Sequence, residues 1–297
     1  MDTELRARRI GVFLGFAFGI AWTVALIVYL TGGLVNSPSL VPGGLTLAVV
    51  LITAGYMMAP ALAHVLTRLV TREGWRSVYL RPRLRQSWPY WAAAWLMPAV
   101  MTILGAAIFF ALFPQYFDPS LTAVRDLLQR AGVGATIDPS TFVVAQTVQA
   151  VLIAPLINGP FTFGEEFGWR SYLLLRLMAL LGAWPGLLLH GAIWGFWHAP
   201  LIFLTGYNYP GHPVLGVPLF VVFGILAGVL LGWLQLASRS VLAPTIAHAA
   251  LNATAGVPLL VLRGVDPAVG GVLYSPLGWL VLLVAIAIVV RRSGDVR

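Results

Sequence analysis

The stretch FTFGEEFGWRSYLLLRL (161–177) carries two adjacent carboxylates, Glu165 and Glu166, followed by Arg170; no other acid stands between Pro139 and Val265. At the centre of a membrane-spanning helix an ionisable side chain costs about 2.5–3.5 kcal/mol, so those that are kept usually face a cavity, a partner or a site. Successive helical residues are turned by about 100°, so the two carboxylates point in different directions. Glu166 and Arg170 are at i and i+4 with the acid first, the favourable order for an ion pair. That assigns them a supporting role and leaves Glu165 as the candidate for chemistry. A plainer reading puts both glutamates in the headgroup region, where they only mark a helix end.

Two further stretches carry polar groups in apolar surroundings. In HGAIWGFWHAPLIF (190–203), His198 follows Trp194 by one turn and precedes Pro200 by two residues. In LAPTIAHAALNATAG (242–256), His248 and Asn252 are one turn apart on one helix face. Taken singly, His198 could be a packed residue bonded to a carbonyl, and the His248/Asn252 pair an interhelical contact. Taken together, one acid, two imidazoles and one amide supply a general base and oxyanion donors for the attack of water on an amide. The other histidines are expected to take no part. His64 lies near a span end, His190 is turned by about 80° from His198 on an ideal helix, and His212 sits in a Pro/Gly loop.

The elements that must bring these groups together are membrane helices. Of 297 residues 59% are hydrophobic and 9% charged, against about 25% charged in a soluble domain. Runs at roughly 10–31, 43–67, 88–113, 141–163, 184–204, 216–237, 241–262 and 272–290 are long enough for helices that cross a bilayer. They are too long and continuous for barrel strands. The fold expected is all-α and polytopic, about eight transmembrane helices around a polar cavity, in a single membrane domain over 1–297. Loops fall at PSLVPGG, FPQYFDPS, GYNYPGHP and RGVDPAVGG. The segment 164–181 either prolongs the fourth span or forms a separate helix after a break at Asn158-Gly159-Pro160. The basic N-terminal head and its long apolar run read as a retained first helix rather than a cleaved signal. With no cysteine, disulfides, thiolate metal sites and thiol nucleophiles are excluded.

All 18 basic residues are arginine. Eight spans place Arg6, Arg8, Arg9, Arg68, Arg72, Arg76, Arg81, Arg83, Arg85, Arg170, Arg176, Arg239, Arg291, Arg292 and Arg297 on one side, and Arg125, Arg130 and Arg263 on the other. The positive-inside rule then puts both termini in the cytoplasm. The net charge of +8 therefore reads as topology, with membrane lipid as the partner and no nucleic acid.

The order Glu-Glu-x-x-x-Arg, aromatic-x-x-x-His, His-x-x-x-Asn, each on its own hydrophobic segment, resembles the CAAX protease and bacteriocin-processing (CPBP, or Abi) family of intramembrane proteases, whose eukaryotic members include the type II CAAX prenyl endopeptidase. Glu165 to Arg170, Trp194 to His198 and His248 to Asn252 carry the resemblance, over a core at 140–255. Ser171 departs from it, since many members with the Glu-Phe-Gly-Trp-Arg sequence have Gly there. The resemblance implies eight helices and a catalytic cavity opening to the cytoplasm. Glu165 would activate water, His198 would assist, and His248 and Asn252 would stabilise the oxyanion. Glu166, Arg170 and Trp194 would support them.

The family's metalloprotease label admits a second reading, in which Glu165, His198 and His248 hold a divalent ion such as zinc with water as the fourth ligand. The preferred reading needs no cofactor, a desolvated Glu165 taking the proton from water directly. The expected substrate is a membrane-anchored or lipidated, CAAX-like peptide. The alternatives are a catalytically silent immunity or scaffold protein of the same fold, and a transporter, against which the lack of repeated halves argues. Abundant Arg, Ala, Gly and Leu without Lys suggests a prokaryotic chain of the inner membrane.

Overall fold

The computed structural model describes residues 3–41, 44–75 and 78–293; Arg76 and Arg297 of the charge distribution above lie outside them. Among these residues the chain is helical, with two isolated bridges and no strand. Its helices are α1 (Thr3–Leu30), α2 (Leu47–Val70), α3 (Leu84–Leu112), α4 (Thr122–Arg130), α5 (Pro139–Leu152), α6 (Ala154–Leu181), α7 (Ala183–Thr205), α8 (Pro213–Ser238), α9 (Leu242–Thr254) and α10 (Pro276–Ser293). Among the described residues six helices are long and apolar enough to cross a membrane, and the α5–α6 pair counts as a seventh if it is one bent span. The count of eight is thus not reached by this measure, although each expected apolar run is helical. Exposed Leu96, Val100, Ile103 and Leu104 on α3 form the kind of surface that lipid covers.

The fourth run breaks elsewhere than expected. α5 and α6 meet at a 48° bend around Ile153, whereas Pro160 lies inside α6. Pro155 stands in the first turn of α6, where a missing N–H costs nothing within the new helix but prevents the old one from continuing. Residues 164–181 therefore prolong α6. Its turn at Trp169–Leu174 is widened to π spacing, and all six of those side chains are buried.

Small residues let the helices that carry polar groups approach closely. Ala17, Ala21 and Ala25, spaced four apart on α1, are wholly buried, and the indole of Trp197 donates to the Ala17 carbonyl at 3.2 Å. Where α7 crosses α8, a Cβ at Gly195 would lie 2.7 Å from the Cα of Val221. Gly168, just beyond the glutamate pair, is seated against α2, where a Cβ would be 2.5 Å from the carbonyl carbon of Pro60. We expect Gly195→Leu to overpack the α7–α8 crossing by about 1–3 kcal/mol, read as a lowered melting temperature of the purified protein; an unchanged melting curve would show that this crossing is not tight.

The two ends of the bundle differ. At one, Glu73 receives Arg176 and lies 3.6 Å from Arg9 and 3.8 Å from Arg68, with Tyr172 donating to it at 3.1 Å. There Arg6 donates to the Ala179 carbonyl, and the Val241 N–H to Tyr79. Arg81, Arg83 and Arg239 line one concave surface at the same end. At the other end the loops pack on one another: Asp118 N–H donates to Val261 O and Arg263 N–H to Tyr116 O, both at 2.9 Å, and the Tyr209 hydroxyl to Tyr274 O at 3.2 Å.

Candidate active site

Glu165 and Glu166 lie in α6 with 2% and 0% of their surface exposed. A glutamate pair marking a helix end among headgroups would be wet, so the plainer reading fails. Their side chains diverge as the helical turn requires. One oxygen of Glu166 accepts from Arg170 Nη1 at 2.8 Å, the expected i, i+4 pair, and both partners are fully buried. The same oxygen accepts from His248 Nδ1, also at 2.8 Å. This second bond crosses from α6 to α9 and was not foreseen from spacing. It turns Glu166 from a local lock into the tether of the His248 ring.

Glu165 faces the other way and accepts from the indole N–H of Trp194 at 2.9 Å. Trp194 is the hub of the arrangement. Its ring lies 5.7 Å from that of His198 and 5.3 Å from that of His248, and the Arg170 guanidinium stacks 4.2 Å from its centre, a cation–π contact. His198 falls at the break inside α7, between Trp197 and the short helix that Pro200 begins. Its Nδ1 donates to the Trp194 carbonyl at 2.9 Å, so a neutral ring presents Nε2 as an acceptor.

Glu165, Trp194, His198, His248 and Asn252 all line one cavity of about 250 Å³. The sequence-derived site residues are thus brought together, with Glu166 and Arg170 directly behind them. The wall residues missed include Tyr56, Tyr207, Asn208 and Tyr274. The Tyr56 hydroxyl donates to Trp197 O at 2.5 Å and fixes the α7 break against α2. Burial, and then the nearby Glu165 charge, push the Tyr207 phenol up to about 12, which keeps it a hydrogen-bond donor at neutral pH. Tyr207 lies in GYNYPGHP, whose glycine and prolines read only as a turn.

The remaining histidines stand outside the cavity. His64 bridges the Phe167 carbonyl, at 2.7 Å, and Arg68 Nε, at 2.6 Å. His190 is buried with its ring 6.5 Å from that of Trp169, and His212 lies 3.4 Å from Asp266 in the loops. Ser171 donates to the Val78 carbonyl at 2.7 Å, so this departure pins an interhelical loop and leaves the site untouched.

Among the described residues no three His, Asp or Glu side chains are placed to hold one ion. One oxygen of Glu165 is engaged by Trp194, and the Nδ1 atoms of His198 and His248 by the Trp194 carbonyl and Glu166. The cavity walls include Tyr207, Asn208, Leu259 and Tyr274, which belong to the loop-covered end of the bundle. The residues lining the cavity and the basic cluster lie toward opposite ends of the bundle. The cause is where the loops sit: the α7–α8 connection and the segment after α9 shape the cavity, and neither carries the basic cluster.

Residues 139–254 match the family model described as Type II CAAX prenyl endopeptidase Rce1-like. The segment is an Rce1-like CAAX-protease domain. It spans α5 to α9 and contains Glu165, Glu166, Arg170, Trp194, His198, His248 and Asn252. No curated protein matches the chain. A CAAX-protease domain implies a hydrolase that cuts peptide bonds, and the apolar helices make the chain an integral membrane protein.

Proposed function

We propose that the chain is an intramembrane endopeptidase that cleaves a membrane-anchored or lipidated peptide with water activated by Glu165. The observation that carries this reading is the convergence of Glu165, His198, His248 and Asn252 on one cavity among apolar helices. One oxygen of Glu165 is occupied by the Trp194 indole, which leaves the other to take a proton from water. His198 Nε2 accepts the second water proton as a hydrogen bond and orients the attack. The tetrahedral oxyanion then receives the Asn252 amide and the His248 ring, which Glu166 holds in place. Glu165 returns its proton to the leaving amine, and the two products separate.

The reading routes no step through a metal ion. The arginine bias supports both termini being cytoplasmic, for which apolar α10 would supply the eighth crossing, and abundant Arg, Ala, Gly and Leu without Lys supports a prokaryotic inner-membrane chain. A comparison of membrane peptides from cells carrying wild type or Glu165→Gln tests the assignment. Fragments that require Glu165 name the substrate, and identical profiles sink the proteolytic reading. Asn252→Ala removes one of two oxyanion donors, with an expected loss of about 10²–10³-fold in kcat and little change in KM; an unaltered kcat would remove Asn252 from the oxyanion site.

A further inference from the structure

We infer that the concave surface lined by Arg81, Arg83 and Arg239 binds the phosphate headgroup of an anionic phospholipid, a role that stands apart from the endopeptidase reading. The hollow encloses about 670 Å³ between the α2–α3 connection and the α8–α9 turn, and Trp75, Val78, Tyr79 and Leu80 complete its lining. All three arginines are exposed. At the same end Arg9, Arg68 and Arg176 gather on Glu73. Among the described residues Arg81, Arg83 and Arg239 have no acidic side chain within ion-pair distance. Three guanidiniums around one hollow offer forked donors that match the oxygens of a phosphate. Basic pockets between membrane helices bind anionic headgroups in this way.

The backbone supplies a second, independent observation. Arg83 precedes α3 with φ 49°, Arg239 ends α8 with φ 51°, and Tyr79 between α2 and α3 has φ 53°. Glycine is the usual residue where a chain leaves a helix in this left-handed conformation. Side chains held there against that preference cluster at ligand clamps and other functional sites. Two of these three positions carry arginine, and all three line the hollow. The lining is also fixed from several sides. Ser171 Oγ donates to the Val78 carbonyl at 2.7 Å, the Val241 N–H to Tyr79 O at 2.9 Å, and the Trp91 indole to Pro82 O at 3.2 Å.

The surroundings of the hollow favour a lipid over a free anion. Trp75 and Tyr79 in its wall are exposed, and exposed aromatic rings are typical of the membrane–water boundary. Directly after Arg83, Leu84 and Trp88 stand one turn apart on α3, 57% and 67% exposed. They give acyl chains an apolar strip to lie on while the arginines hold the phosphate.

The test uses the full-length protein purified in detergent. It is titrated with dioctanoyl phosphatidylglycerol, with dioctanoyl phosphatidylcholine and with inorganic phosphate, and followed by native mass spectrometry and melting temperature. Phosphatidylglycerol is expected to bind and to raise the melting temperature, and the other two to do neither. Arg81→Gln/Arg83→Gln/Arg239→Gln is expected to bind phosphatidylglycerol about 10²-fold more weakly. The charge-matched control Arg72→Gln/Arg291→Gln/Arg292→Gln keeps the wild-type affinity. Should the triple site variant melt early without lipid, its three single variants carry the test, each with an expected loss of about fivefold. Undiminished binding by the site variants overturns the inference, as does an equal loss in the control, which would make the attraction one of diffuse charge. Phosphatidylcholine binding as well as phosphatidylglycerol also overturns it. So does inorganic phosphate producing the same shift, which would make the hollow a site for free anions.

Discussion

Replacing Glu165 by Gln is expected to lower cleavage by about 10²–10⁴-fold, the usual worth of a positioned general base, while leaving the melting temperature close to that of the wild type. The substitution is isosteric, and the amide oxygen of Gln still accepts from Trp194 Nε1, so the hub around the indole stays intact. What is lost is the ability to take a proton from water. The measurement is the rate at which the purified protein, in proteoliposomes, releases the fragment identified by the peptide comparison. A variant that cleaves at nearly the wild-type rate would take Glu165 out of the chemistry whatever its geometry. A variant that melts early would show that the carboxylate was structural.

Glu166→Leu should act on both stability and activity. It strands the Arg170 guanidinium, fully buried, without its counter-charge, and removal of one partner of such a pair costs about 3–5 kcal/mol. It also frees His248 Nδ1. The two effects separate in the double variant Glu166→Leu/Arg170→Leu, since apolar replacement of a whole buried pair is often neutral. The double variant is expected to regain most of the melting temperature and still fail to cleave, because the His248 ring has lost the 2.8 Å tether that aims it. Recovery of both would return Glu166 to the purely local role that its i, i+4 spacing suggests.

This contrast marks what could be read from the chain by itself. Spacing within one helix is set by 3.6 residues per turn, so the Glu166–Arg170 pair and the shared face of His248 and Asn252 followed from sequence. Hydropathy alone yielded the helical membrane class, because a bilayer leaves few other ways to satisfy the backbone. The three polar segments were visible as exceptions to that apolar background.

Tertiary structure decided the rest. The bond from His248 to Glu166 spans 82 residues and depends on how α9 lies against α6. The one from Trp194 to Glu165 spans 29 and depends on how α7 lies against α6. The bend at Ile153 went to Pro155 and not to Pro160, since only the former stands where a helix can begin. Which loops wall the cavity is a property of loops folding over helix ends, and no periodicity within a helix encodes it. Local sequence specifies which side chains share a helix face; the crossing of one helix on another specifies what that face meets.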